Sequence, residues 1–199
     1  MPTASGPAPT PRLILASSSP YRRELLKRLQ LRFDVHPANI DESAQPGEEP
    51  AALAGRLAGE KARAISAQYP RAVVIGSDQV VECAGASLGK PGSAVRAVEQ
   101  LEDLQGRSVT FHTAIHVTDG VRELGCTVPT VVRMRTLTRA QIERYVEREQ
   151  ALDCAGAFKS EALGICLIER LHSDDPTALV GLPLIATVDL LEAFGIALP

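Results

Sequence analysis

Apolar residues return along the chain at two periods, and the switches between them lay out an alternating succession of strands and helices. An apolar run beginning at Leu13 passes through Ser17, Ser18 and Ser19 into a helix. There Ser19 is a natural N-cap, Pro20 suits the first helical position, and Tyr21, Leu25, Leu26 and Leu29 share one stripe. Phe33 and Val35 mark a short strand, followed by the polar turn PANIDE and a stretch rich in Pro, Gly and Glu. Leu53, Leu57, Lys61 and Ile65 then recur near helical spacing in an alanine-rich helix. Residues 72–76, AVVIG, form a short continuous apolar run of the kind found mid-sheet. Read as a strand ending there, this run delivers Ser77, Asp78 and Gln79 to its C-terminal end, where α/β sheets bind ligands.

Val80 and Val81 lead to a turn at Gly85 and then LGKPGS, where Ser93 caps a helix through Val95, Val98 and Leu101. A new section opens near Gly106. Val109, Phe111, Thr113, Ile115 and Val117 alternate with more polar residues, which predicts a strand with one buried face, and Asp119-Gly120 is a hairpin signal. A second strand is expected over roughly 128–137 and a helix over 138–147. A strand over GICLIERL, a turn at DDPTALVGLP and a helix ending at Phe194 with Gly195 as its C-cap complete the chain. The class is therefore α/β, with residues 1–11 as a flexible tail, 12–199 as one domain and an insertion-like lobe over roughly 106–150.

Composition narrows the partners. A hydrophobic fraction of 45% with 23% charged residues is ordinary for a globular protein, so global disorder is excluded. The net charge of -3 argues against a nucleic-acid coat. No apolar run approaches a bilayer span, so no membrane partner is expected. Cys83, Cys126, Cys154 and Cys166 form no C-x-x-C pair, which points to reduced thiols and a cytoplasmic setting.

Three places carry candidate chemistry. The serine-rich joint combines free N–H groups at a helix start, the hydroxyls of Ser17 and Ser19, and the guanidinium groups of Arg22 and Arg23, all suited to phosphate. Asp78, directly after a buried run, is placed to accept a proton or bind a cation. LGKPG fails as a nucleotide-binding P-loop, because three residues rather than four separate Gly85 from Gly89 and Pro91 replaces the hydroxyl residue after Lys90. Lys90 alone still suits a phosphate clamp. His112 and His116 share a strand face but have no third ligand nearby in sequence.

Seven strings occur in order: ASSSPYRRELL, Asp41-Glu42, EKA at 60–62, GSDQVV at 76–81, GKP at 89–91, AGAFKSE at 155–161 and VGLPL at 180–184. Together they resemble the Maf family of nucleotide pyrophosphatases. The resemblance implies a mixed-sheet, two-lobed α/β fold around a deep central cleft, commonly a homodimer. It also implies divalent-metal-dependent hydrolysis, with Mg or Mn, of a nucleoside triphosphate to monophosphate and pyrophosphate. Carried over by position, Asp78 is the proton acceptor. Ser17, Ser19, Arg22, Arg23, Lys61 and Lys90 bind phosphates, and Glu42, Glu60 and Asp78 form the acidic set near the metal. Whether Asp78 acts as base or as metal ligand stays open, since both roles use the same oxygens.

Three positions resemble the branch that hydrolyses 7-methyl-GTP: Tyr21, Gln79 and Glu161. A carboxylate at Glu161 matches the adjacent N1–H and N2 amino donors of guanine, and an aromatic ring at Tyr21 suits a cationic base. Tryptophan is usual in that branch where Tyr21 stands. The branch acting on dTTP or UTP carries arginine, threonine and glutamine at these positions. A rival reading of another class is a non-catalytic regulator of cell division or septum formation.

Overall fold

A computed structural model describes residues 11–198; of the tail expected over 1–11, residues 1–10 lie outside that range. The described residues form one seven-stranded sheet of mixed direction with five helices. In chain order these are β1 (Leu13–Leu15), α1 (Pro20–Lys27), β2 (Asp34–Val35), α2 (Pro50–Ser66), β3 (Val73–Cys83) and β4 (Ala86–Leu88). They continue with α3 (Ala94–Leu104), β5 (Ser108–Thr118), β6 (Glu123–Met134), α4 (Arg139–Glu149), β7 (Ile168–Ser173) and α5 (Leu184–Ala193). The sheet runs β2-β1-β3-β5-β6-β7, with β4 paired to β3. Pairing is parallel among β2, β1 and β3 and antiparallel elsewhere.

Alternation along β3 sorts its neighbours to two faces. Val74 and Val80 pack toward α2, with Leu57 and Ala58 against Val80 and Ile65 against Val74. Val73, Ile75 and Val81 face the opposite side. There α1 and α5 bury Leu25, Leu26 and Leu191 over one end of the sheet, and α3 and α4 bury Leu101, Leu104 and Ile142 over the other. Helix starts follow local chemistry. The Ser19 hydroxyl accepts the Arg22 backbone N–H at 3.4 Å, Ser93 caps α3 on Arg96, and Thr138 with Gln141 forms a capping box on α4.

Three sequence expectations change. The strand expected to end at Gly76 runs on to Cys83, because β5 pairs with it from Val74 to Glu82 and satisfies its backbone regardless of the polar Ser-Asp-Gln side chains. The strand expected from residue 128 begins at Glu123, where the exposed segment ELGCT pairs with β5 directly after the hairpin. The strand expected over 164–171 is a single-turn 3-10 helix at Leu163–Leu167 followed by β7. Gly164 explains that turn, since a Cβ there would lie 2.3 Å from the Lys159 carbonyl oxygen, so the chain folds back where a strand would extend.

Candidate active site

The partner strands of β3 define an opening. One edge is covered by β5, whereas on the other β1 pairs only with Val73–Ile75 and β4 only with Val81–Cys83. Residues 76–80 between them have no partner strand on that side. The backbone directions follow from the flanking bonds: Val73 N–H donates to Arg12 and Ala16 N–H donates to the Ile75 carbonyl, so odd-numbered residues address this edge. The N–H groups of Ser77 and Gln79 therefore turn toward this edge, with no backbone acceptor among the described residues; Ser77 is fully buried there and Gln79 is partly exposed. The loop leaving β1 brings Ser17 and Ser19 to one end of the gap, and the segment after β4 brings Lys90 to the other.

On the α2 face the gap holds an ion cluster that is buried at Lys61 and Asp78 and exposed at Glu42. Lys61 and Asp78 are 6% and 9% exposed, and Lys61 Nζ donates to Asp78 Oδ1 at 2.6 Å and contacts Glu42 Oε1 at 2.5 Å. A lysine this covered is found only with its charge paired, and here two carboxylates compensate it. The approach depends on Gly76. A Cβ there would lie 2.1 Å from the Ala58 carbonyl oxygen and 2.6 Å from the Ala62 nitrogen, so only glycine lets α2 lie this close to β3. The bond to Lys61 pulls the Glu42 carboxyl below its usual value against the effect of burial, and Lys90 and Arg22 pull the same way.

On the other face Arg22 is half-buried, and its Nε donates to the Gly181 carbonyl at 2.9 Å. The Ser77 hydroxyl donates to the same carbonyl at 3.1 Å. Gly181 stands at φ +122°, a conformation that side chains rarely adopt, and this aims one carbonyl at both groups. The Ser17 hydroxyl is within 3.5 Å of Arg22 Nη1 and accepts the Ser19 N–H at 3.1 Å. Burial lowers the Arg22 pKa while Asp78 and Glu42 raise it, which places the guanidinium in the field of both carboxylates. It remains a cation.

Other sequence candidates stand farther from this cluster. Arg23 and Lys90 are exposed, Lys90 being close enough to act on Glu42. Glu60 turns away from Lys61 and meets Arg56 Nη1 at 3.2 Å, one helical turn back on α2. Gln79 lies on the face opposite Asp78, where its amide donates to Thr113 at 2.9 Å and to the Ala178 and Leu179 carbonyls at 3.1 Å. It ties the 178–180 turn to β3. Tyr21 is half-buried with Lys159 Nζ 5.9 Å from its ring centre, and burial raises its pKa while Lys159 opposes the rise. Glu161, on the same segment as Lys159, is exposed and accepts from the Ser160 hydroxyl at 3.4 Å. His112 and His116 pair instead with Glu82 and Glu123, each at 2.7 Å.

Sequence reasoning missed Asp175, which is 2% exposed. It accepts from Thr177 N–H and Oγ1 at 2.8 and 2.6 Å and from Ile185 N–H at 2.7 Å, fixing the turn that presents Gly181. A carboxylate two residues before a threonine is the pattern of such a turn, and it was readable in DDPT.

Among the described residues no group of three or more His, Cys, Asp or Glu could by itself hold a metal ion. The second carboxylate oxygens of Glu42 and Asp78 have no protein hydrogen bond there. Two hard oxygens completed by phosphate and water suit Mg²⁺ or Mn²⁺, ions usually held by one or two carboxylates together with substrate. The donor set therefore fits a metal that arrives with a nucleotide.

Comparison with known proteins places this arrangement in a family. The pattern described as "Maf-like protein" matches residues 12–194. A protein of Xanthomonas oryzae pv. oryzae named "7-methyl-GTP pyrophosphatase" is 56% identical over 189 residues, 95% of this chain and 100% of the relative. Proteins of the same name from Bordetella pertussis and a Polaromonas species are 53% and 52% identical, covering 96% and 98% of this chain and 96% and 90% of theirs. With the family pattern spanning nearly all of the described residues and relatives this similar over almost their full length, the chain belongs to the Maf family.

Proposed function

We propose that this protein hydrolyses 7-methyl-GTP to the nucleoside monophosphate and pyrophosphate, a reading supported by relatives named "7-methyl-GTP pyrophosphatase". The observation that carries the reading is the Asp78–Lys61–Glu42 cluster in the gap of β3. Cleaving a phosphoanhydride demands a positioned water and neutralisation of the departing charge. Lys61 holds one oxygen of Asp78, and the one left over serves either the water, as its proton acceptor, or a metal, as its ligand. Arg22, Lys61 and Lys90, with the N–H group of Gln79, supply the positive lining for the phosphate chain, and Ser17, Ser19 and Arg23 extend it. A divalent metal bound with the nucleotide, with Glu42 and Asp78 as its protein ligands, would neutralise phosphate charge. Glu60 supports the site through Arg56.

At the base end, Tyr21 stacks on the cationic 7-methylguanine and Glu161 accepts its N1–H and N2 protons. Gln79 acts by holding the 178–180 turn. Glu161 favours guanine over uracil, whose two carbonyls flanking one N–H repel a carboxylate. The reading includes a cytoplasmic homodimer, which the mass of the purified protein in solution checks.

The test is a screen of nucleoside triphosphates, methylated guanine included, with each product identified by phosphorus NMR. The expected result is pyrophosphate with no diphosphate intermediate, and fastest turnover of 7-methyl-GTP. Inorganic phosphate as the first product, or a preference for dTTP or UTP, overturns the assignment.

A further inference from the structure

Glu42 lies in residues 36–49, which form no helix or strand and contain a single turn at 46–47. Lys61 contacts the tip of its side chain, but nothing in that contact fixes the backbone behind it. Fixing such a segment costs about 1–2 kcal/mol per residue; Ile40, packed on the core between α2 and β3, holds the chain before Glu42, and the chain after it needs an anchor of its own. Arg56 is that anchor. From α2 its Nε and Nη2 grip the two oxygens of Glu48 at 2.7 and 2.8 Å, and Nη2 also donates to the Ser43 carbonyl at 2.9 Å. Nη1 meets both oxygens of Glu60 at 3.3 and 3.2 Å.

Two features separate this arrangement from a surface ion pair. The Arg56–Glu48 contact is a two-point fork on a half-buried arginine, the geometry that a lysine cannot reproduce. The Ser43 bond then falls on the residue next to Glu42. Five bonds to the protein leave this guanidinium engaged with the loop and its own helix rather than free for phosphate. Glu60, the neighbour of Lys61 in sequence, is the second carboxylate that aims it.

We infer that Arg56 is a positioning residue for the reaction, holding the 43–48 loop on α2 so that Glu42 stays opposite Asp78 across Lys61. The inference rests on the reading of the Glu42–Lys61–Asp78 cluster as the place of reaction. A group that acts only through Glu42 has nothing left to contribute once the Glu42 carboxylate is gone, so the two positions are coupled.

The experiment compares kcat/KM for 7-methyl-GTP in Arg56→Gln, Glu42→Gln and the double variant. Loss of a residue that orients a ligand-bearing group costs about 10- to 100-fold. That loss is expected in Arg56→Gln, with less than about a twofold further fall when the change is made on Glu42→Gln. A loss of equal factor in both backgrounds is the signature of a general structural role and overturns the inference. So does an Arg56→Gln enzyme as active as wild type. Full activity in Glu42→Gln instead removes Glu42 from the proposed site, a separate failure of the functional reading. Should Arg56→Gln not fold, Glu48→Gln weakens the same fork from the loop side. It is expected to lower activity in the same direction, to speed cleavage of the loop by a glutamate-specific protease, and again to be silent on Glu42→Gln; additivity there is equally fatal.

Discussion

At the proposed phosphate end of the candidate site, Lys61 and Asp78 are joined at 2.6 Å under a covering helix, whereas at the proposed base end Glu161 stands in solvent with Ser160 as its hydrogen-bond partner at 3.4 Å. The first region belongs to a strand and a helix locked by the close approach at Gly76. The second belongs to a segment between α4 and β7 built of single 3-10 turns. Charges meant for reacting phosphates lose least when they are fixed before substrate arrives, and strand register does that at no cost on binding. A base is recognised by groups that close around it, which suits a loop. On the proposed reading, catalysis and specificity are thus housed in a regular strand and helix and in an irregular segment respectively.

The sharpest way to break the comparison is to remove the charge at its rigid end. Asp78→Asn keeps the volume and loses the basic carboxylate, so turnover should fall about 10²- to 10⁴-fold with little change in thermal unfolding. Retention of more than half the wild-type rate by a normally folded variant sinks the assignment. Gly76→Ala tests stiffness itself. The added methyl must push α2 away from β3, with an expected cost of about 1–3 kcal/mol in chemical denaturation and a fall in turnover, because Lys61 moves with the helix. An unchanged rate would mean that the close approach is irrelevant to chemistry.

At the looser end the effects should alter choice more than rate. Glu161→Gln is expected to lower the ratio of kcat/KM for 7-methyl-GTP over UTP at least about tenfold, since a bidentate base contact carries roughly 1–3 kcal/mol of discrimination. A ratio that stays put removes Glu161 from base recognition. The smallest effect belongs to the loop that carries Glu42. Hydrogen bonding to Arg56 first, and to the Gln45 N–H second, holds the Glu48 carboxyl at about 2, below its ordinary 4.5. A depressed carboxyl stabilises the fold above its unfolded-state value and loses that contribution as the pH falls toward about 2. Glu42 is shifted in the same direction. Loop resonances followed by NMR should therefore remain native down to pH 4.5 and change progressively below it, and a transition centred above pH 5 contradicts the pairing.

Local features were readable from the chain: Ser19 and Pro20 opening α1, the alternation of β5 and Gly195 closing α5 all depend on neighbours within a few residues. Asp78 stands out by its place after an apolar run, and Lys61 and Glu42 only through the family resemblance, and the structure brings the three together. What the chain could not reveal were relations set by distant partners. Gln79 follows Asp78 in sequence yet faces the opposite side, because the strand continues through both. Glu60 looked like a companion of Lys61, but one residue along a helix is a turn of about 100°, and that rotation hands it to Arg56. Arg56 itself carries no local mark, since its significance lies in Ser43 and Glu48 on a loop without regular structure.

The interrupted edge of β3 also gives the protein a built-in reporter. The amides of Val73 and Ile75 are shielded by β1 and those of the intervening even-numbered residues by β5, while the amides of Ser77 and Gln79 face the gap. In the free protein the partly exposed Gln79 amide should exchange with deuterated water faster than its neighbours in the same strand, the Ser77 amide being covered. A phosphate chain seated in the gap would accept the Gln79 N–H and slow that exchange, so occupancy can be followed on one backbone position without mutation or turnover.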